Sequence, residues 1–588
     1  MVVRNSEIAD IFYELADFLE IEAANQFRVR AYRTAARNIE SLPQNVAEMV
    51  DKGEDLTGLP GIGKDLAAKL AEIVKSGRLP QLEDIKQRLP AGLIDLLRIG
   101  EVGPRRVKML HQNLGITGIE DLEKAAREQQ VRKLPGFGPK AEEKILEQIN
   151  RVRGMSPGEK RLRLPAVEQI AQSLVEVLVE ISGVKRIDLA GSYRRKQETV
   201  GDLDILVACE NPSEVMDRFV SYGGAIQVLE RGATRSSIML RSGFHVDVRV
   251  VPDESFGAAL LYFTGSKAHS IALRKMGMKS NLKINEYGVF SGGDRVAGAT
   301  EQEVYAQVGL PYIEPELREN RGEIEAALRD GLPHLITLED IRGDLHIHTS
   351  ATEGRATLKE MAVAARERGY QYIAVTDHSR RLAMTRGLNE DRLSEQIKEI
   401  DELNQTFSDF LVLKGIEVDV YEDGSLDLSP QILEKLDLVV CSIHHKFDLP
   451  GEKQTQRIIR ALRHPYFIVL AHPTGRIIGE REPYEVDMEA IIRAARENGC
   501  ALELNSQTDR LDLADIYCKM AKEMGVKIAI SSDAHSLSEL DLMRYGITQA
   551  RRGWLEKPDV LNARSLEEIM EIFRQNRPAS SPARTSGP

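Results

Sequence analysis

The chain carries Gly191-Ser192-Tyr193-Arg194-Arg195 and, after a short gap, Gly201-Asp202-Leu203-Asp204-Ile205-Leu206-Val207. Side chains alternate faces along a strand, so Asp202 and Asp204 share one face while Leu203 and Ile205 point into a core. Two carboxylates then occupy one small space. Leaving both ionised there is unfavourable without a cation, and hard divalent ions such as Mg²⁺ prefer carboxylate and phosphate oxygens. The Gly-Ser turn and the two arginines supply backbone N–H groups, a hydroxyl and fixed positive charge, which is what a phosphate requires. The stretch His245-Val246-Asp247-Val248-Arg249-Val250-Val251 alternates in the same way and offers a third carboxylate from a neighbouring strand. Asp202, Asp204 and Asp247 then form a cage for two metal ions, one lowering the pKa of an attacking 3′-hydroxyl and one holding a triphosphate and its leaving pyrophosphate.

At 588 residues the chain exceeds one core, and ordinary domain sizes imply about three to five domains. Its 42% hydrophobic and 29% charged residues are ordinary for a soluble protein, and no apolar run is long enough to span a bilayer. Residues Met1 to Ile11 show no export signal, and the 4 cysteines lack metal-type spacing, so the expectation is a reducing, cytoplasmic compartment. The net charge of −12 does not exclude nucleic acid, because binding depends on where the basic groups sit. Arg28, Arg30, Arg33 and Arg37 cluster early, Arg105, Arg106 and Lys108 follow, and then Arg161 and Arg163.

The first 155 residues read as short amphipathic helices with a recurring turn: Leu59-Pro60-Gly61-Ile62-Gly63-Lys64, Ile99-Gly100-Glu101-Val102-Gly103-Pro104 and Leu134-Pro135-Gly136-Phe137-Gly138-Pro139. Each copy precedes a helix. The pattern resembles the helix-hairpin-helix module, whose glycines let backbone N–H groups approach a DNA phosphate. The implied DNA contacts are Gly61, Gly63, Gly103, Gly136 and Gly138, with Glu101 replacing the first glycine of the middle copy.

Beyond residue 340, apolar strands alternate with charged helices: Leu345 to His348, Tyr372 to Thr376, Leu411 to Glu417, Leu438 to Ser442, Phe467 to Ala471, Ala501 to Asn505 and Val526 to Ser531. Repeated strand-helix units imply a parallel sheet, and about seven of them a closed barrel. His346, His348, His378, Glu417, His444, His472, Asp533 and His535 fall at the ends of these strands, where such barrels build sites. Six histidines so placed, in a chain with 12, point to a metal cluster that activates water for attack on a phosphodiester. Mixed histidine and carboxylate ligation suits Mn²⁺ or Zn²⁺ better than Mg²⁺.

From residue 1 to about 320 the chain resembles the family X DNA polymerases, through Gly191 to Asp204, the thumb motif Tyr262-Phe263-Thr264-Gly265-Ser266 and Asn285-Glu286-Tyr287. That resemblance implies triphosphate contacts from Gly191, Ser192, Arg195 and Gly201, and a sugar lined by Tyr262, Phe263 and Gly265. It also implies a phosphate contact from Lys267 and a template-side contact from Arg274. Ser270 stands where eukaryotic relatives often carry Asn. The first 80 residues resemble the family's gap-binding domain, whose lyase lysine falls on Lys69, with Tyr32 as a matching DNA contact and Asp65 in place of a second lysine. Residues 341 to 575 resemble the polymerase and histidinol phosphatase (PHP) domain, a distorted seven-stranded barrel holding up to three metals, which adds Glu353 as a ninth ligand.

The resulting expectation is a multidomain α+β and α/β chain. It comprises a lyase-like helical domain (1–80), a fingers-like helical domain (81–155), a nucleotidyltransferase palm (156–250), a thumb (251–320), a linker (321–340), a PHP barrel (341–575) and a disordered tail (576–588). The implied activity is gap-filling repair synthesis from dNTPs with Mg²⁺ or Mn²⁺ in the palm, joined to a 3′-5′ exonuclease and an AP endonuclease in the barrel. The expected partners are gapped or primer-template DNA, with a monomeric, nucleoid-associated protein and no membrane. The rival readings are a phosphoesterase targeted to DNA by its N-terminal half and a non-catalytic DNA-end scaffold.

Overall fold

The computed structural model describes all residues except 1, 2, 4, 23, 43, 44, 60, 100, 101, 155–160, 241, 467 and 576–588, so the expected disordered tail lies outside the described residues. The chain divides into two compact units, Met1–Tyr193 with Thr199–Phe263, and Arg194–Glu198 with Thr264–Pro588.

In the first unit all three hairpins close with the same backbone bond: Ile62 N to Leu59 O (3.1 Å), Val102 N to Ile99 O (2.7 Å) and Phe137 N to Leu134 O (3.1 Å). Each plugs its turn with a buried apolar side chain, Ile62, Val102 or Phe137. The helices Lys64–Ser76, Pro104–Leu114 and Pro139–Gly154 follow directly. In the middle copy Gly100 and Glu101 lie outside the described residues.

The same unit contains a five-stranded sheet in the order Val184–Leu189, Asp202–Cys209, His245–Val251, Arg235–Leu240, Ala225–Arg231. Only the pair Asp202–Cys209 and His245–Val251 is parallel. Val246, Val248 and Val250 are buried while His245, Asp247 and Arg249 are half-buried, the period-two burial that a one-sided sheet imposes.

The second unit holds the antiparallel strands Leu282–Asn285, Gly288–Ser291 and Asp294–Ala297 beside the helix Lys267–Lys279, and then the barrel. The barrel has strands at all seven expected places, one of them broken in two. Its parallel strands form a group of three (Gly343–Ile347, Tyr372–Val375, Leu411–Lys414) and a group of five (Glu417–Asp419, Val439–Ser442, Ile468–Leu470, Ala501–Asn505, Ile528–Ser531). Single bridges, His378 to Glu417 and Ile347 to Ala534, join the groups. The expected strand Leu411 to Glu417 breaks at Gly415, where a Cβ would meet Thr376 Cγ2 at 2.8 Å and Val375 O at 2.9 Å. Alternate strand residues enter two cores: Tyr372, Ala374, Leu413, Val440 and Val469 pack with Phe573, while Ile373, Val375, Val412, Val439 and Ile468 pack outward with the helices.

Candidate metal centres

The strand ends of the barrel gather all nine expected ligands. Ligand atoms lie within 4.8 Å of one another in three groups: His348, Glu353, His378 and His535; His346, His348 and Asp533; and His378, Glu417 and His444. The ninth residue, His472, places Nε2 3.1 Å from Glu417 Oε1. The backbone of His472 (φ 28°) and Asp533 (φ 51°) lies in the left-handed region, which side-chain-bearing residues adopt at a cost of about 1–3 kcal/mol and which clusters at working sites.

The electrostatics describe a centre built for cations. Burial opposes charge on His378, yet Glu417 and Glu353 outweigh it and push the imidazole up to about 10. Burial likewise opposes charge on His535, and Glu353 and Asp533 raise it to about 9. His348 is pushed down to about 4 by burial and by His535 beside it. Burial works against ionised Glu353, but His378 and His535 hold its carboxyl down to about 2. The donor set fits a divalent ion: His348 Nδ1, Glu353 Oε2 and His378 Nδ1 are buried without a hydrogen-bond partner, and His378 Nδ1 nevertheless lies 2.7 Å from Glu417 Oε2.

Sequence reasoning missed a buried support. Glu503 Oε1 lies 2.6 Å from His346 Nδ1, and Glu503 Oε2 accepts from the His472 backbone N–H at 2.6 Å. Asn505 Nδ2 donates to Glu503 (3.2 Å) and to Asp533 (2.9 Å). The signal was present in Ala501-Leu502-Glu503-Leu504-Asn505, where two polar side chains share one face of an otherwise apolar strand.

In the palm, Asp204 pairs in register with Asp247 across the parallel strands, and Asp202 lies two residues earlier on the same face. Burial, then the charges of Asp202 and Asp247, push the Asp204 carboxyl up to about 7. Gly191 has φ 63°, and a Cβ there would lie 2.7 Å from Asp204 Oδ2, so only glycine lets the turn approach this carboxylate. Ser192 lies within the helical turn Gly191–Arg194, and Gly201 directly precedes the strand Asp202–Cys209. Asp247 is already engaged: its antiparallel neighbour Ser237 donates to Oδ1 and Arg235 lies 3.3 Å from Oδ2. Among the described residues, the tight ligand groups all belong to the barrel.

Tyr262 and Phe263 end the helix Phe256–Thr264 with ring centroids 5.1 Å apart, and the Arg249 guanidinium lies 4.4 Å from the Phe263 ring. In the second unit, Arg195 Nε donates to Glu319 at 3.0 Å, and a Cβ on Gly265 would lie 3.3 Å from Arg195 Nη1. Lys267 opens the helix Lys267–Lys279, and Arg274 Nε donates to the Ser270 carbonyl at 3.3 Å.

Tyr32 is a core residue, 1% exposed, its ring 5.5 Å from that of Phe12 and its hydroxyl bonded to Gln81. Lys69 Nζ lies 2.5 Å from Asp65 Oδ1, one helical turn earlier. The hairpin glycines Gly61, Gly63, Gly103 and Gly136 are exposed and Gly138 is half-buried, as a backbone approach to phosphate requires.

Comparison with known families follows the same order along the chain. The helix-hairpin-helix domain matches residues 3–79, and the SAM-like helix-hairpin-helix tandem matches 93–151. The DNA polymerase beta palm matches 163–235, the DNA polymerase beta thumb 259–319 and the PHP domain 344–507. The DNA polymerase/3′-5′ exonuclease PolX of Bacillus subtilis (strain 168) is 38% identical over 578 residues, 98% of this chain and 100% of the relative. A probable phosphatase of Thermoanaerobacter sp. (strain X514) is 31% identical over 249 residues, 40% of this chain and 95% of the relative. With likeness to PolX running its whole length and palm, thumb and PHP domain in sequence, the chain belongs to the bacterial family X DNA polymerases that carry a PHP domain.

Proposed function

We propose that this protein is a repair DNA polymerase that extends a primer 3′-end across short gaps from dNTPs, and that its barrel is a 3′-5′ exonuclease. The observation carrying this reading is the in-register pair Asp204 and Asp247, with Asp202 beside them and the glycine turn against Asp204, in a chain alike throughout to PolX. Asp202 and Asp204 would hold a divalent ion, Mg²⁺ or Mn²⁺, with Asp247 joining after releasing Arg235. The ion supplies charge neutralisation for the 3′-oxygen and the triphosphate. The nine barrel residues would hold Mn²⁺ or Zn²⁺, up to three ions, and orient a phosphodiester for hydrolysis. AP endonuclease activity, a monomeric state and residence with the nucleoid in the cytoplasm complete the reading.

Labelled gapped DNA with wild type, Asp204→Ala and His348→Ala tests it. Asp204→Ala is expected to lose extension alone and His348→Ala degradation alone; loss of both activities by either folded variant overturns the two-site division. The phosphatase relatives favour a second reading, a phosphoesterase on small phosphates, and a wild type unable to extend a gapped primer would select it. Lyase action at Lys69 is read by borohydride trapping on a gapped substrate bearing a 5′-deoxyribose phosphate, where the engaged Lys69 is expected to give no adduct.

A further inference from the structure

The segment that follows the Gly191–Arg194 turn does not fold on its own resources. Arg194–Glu198 is five residues long and polar, and Lys196 within it has φ 54°. It belongs to the same compact unit as the barrel. At one end stands Arg552, the last residue of the barrel helix Met543–Arg552, with its side chain 2% exposed. Arg552 Nη1 donates to the Arg195 carbonyl at 2.7 Å and to Glu319 Oε1 at 3.1 Å, while its Nη2 is held by Asp515 at 2.7 Å. Glu319 Oε1 also accepts from Arg195 Nε (3.0 Å) and Gln197 Nε2 (2.6 Å). At the other end Arg476, from the loop after the barrel strand Ile468–Leu470, grips Glu198 with Nη1 at 3.2 Å and Nη2 at 2.7 Å.

A buried guanidinium that satisfies one backbone carbonyl and two carboxylates is a rigid support, because releasing any partner leaves charge unpaired away from water. The two anchors fix both the backbone and the guanidinium of Arg195. Misplacing a substrate-contacting group by about 1 Å can cost on the order of 100-fold in rate.

We propose that Arg552, through the Arg195 carbonyl and Glu319, and Arg476, through Glu198, are positioning residues for nucleotidyl transfer: the nuclease barrel sets the pose of the arginine that meets the incoming triphosphate. The proposal rests on the assignment of Arg195 to the triphosphate.

The test is steady-state gap filling by the full-length chain, with 3′-end resection by the same preparations as the reference. Arg552→Gln is expected to raise KM for the dNTP about tenfold or more while resection changes less than about threefold. Arg552→Lys retains one donor direction and recovers part of the KM. Glu198→Gln releases the second anchor without removing a buried cation and also raises KM. The double variant Arg195→Ala/Arg552→Gln is expected to be no worse than Arg195→Ala, since both changes act through one group. If Arg195→Ala leaves KM unchanged, the triphosphate assignment falls and the proposal with it. If Arg195→Ala raises KM but Arg552→Gln and Glu198→Gln do not, the proposal alone falls. Equal loss of synthesis and resection with a lowered thermal transition in both anchor variants would make the contacts structural and also overturn it.

Discussion

His346 Nδ1 lies 2.6 Å from Glu503 Oε1, and both side chains are fully buried. This contact leaves Nε2 of His346 facing His348 Nε2 (3.1 Å) and Asp533 Oδ1 (3.6 Å), so a carboxylate from another strand decides which nitrogen is offered to a metal. Glu503→Gln should therefore lower barrel metal affinity about 10–100-fold, the usual cost of removing such a support, and lower resection with it. Gap filling at Asp204 should be unchanged. Metal content after dialysis, measured beside both activities, checks this; undiminished metal retention would contradict it.

Metal uptake by the barrel should be strongly pH-dependent. His378 is raised to about 10 and His535 to about 9, so near neutral pH both carry protons that a metal must displace. Affinity should rise with pH by up to about 100-fold per unit, flattening as His535 and then His378 titrate, because up to two protons leave per ion at this group. Calorimetry of Mn²⁺ binding in buffers of different ionisation heat measures the release. A proton count near zero at neutral pH would show that the two imidazoles are not the displaced groups.

The parts of this molecule legible in the sequence are those fixed by local rules. Alternation in His245 to Val251 placed Asp247 beside Asp204, and histidines at successive strand ends placed the barrel centre. What escaped depends on close approach between distant residues. Glycine is needed at 415 because Thr376 and Val375 leave no room for a Cβ, and Asp247 is engaged because Ser237 lies opposite it. Tyr32 sits among arginines in sequence, yet its helix position faces Phe12 in the core. Glu503 was readable as a charge in an apolar strand, but its partner is 157 residues away.

The hairpin glycines separate DNA approach from folding. Gly63 (φ −85°) and Gly103 (φ −76°) have nothing within 4 Å of an added Cβ, and Gly138 likewise has open space. Alanine at these positions should cost under about 1 kcal/mol of stability while weakening gapped-DNA binding several-fold, irrespective of sequence, because the contact is to backbone phosphate. Gly61→Ala should instead destabilise, by about 1–3 kcal/mol, since its φ of 69° suits glycine and a Cβ would meet Asn38 and Thr34 at 3.1 Å. Salt-dependent anisotropy and thermal melting on the same variants distinguish the two classes.

Asp204 should weaken the fold it serves. An unfolded aspartate titrates near 3.8, and this one titrates near 7 because of burial and then its neighbours Asp202 and Asp247. Between those values the folded chain binds more protons at this site than the unfolded chain, so the contribution of Asp204 to stability falls as pH rises from about 4 to about 7 and is level above that. The ceiling of this loss is about 4 kcal/mol. Asp204→Asn removes the charge and keeps the shape. In chelator, the variant should melt above wild type at about pH 8, with the gap closing toward pH 4. Mg²⁺ should raise the wild-type transition and leave the variant's nearly unmoved, because the ion compensates a charge that the variant lacks. Nucleotidyl transfer should be lost in the variant throughout. A wild type more stable than Asp204→Asn in chelator at about pH 8 would show that the carboxylate is not held against its preference.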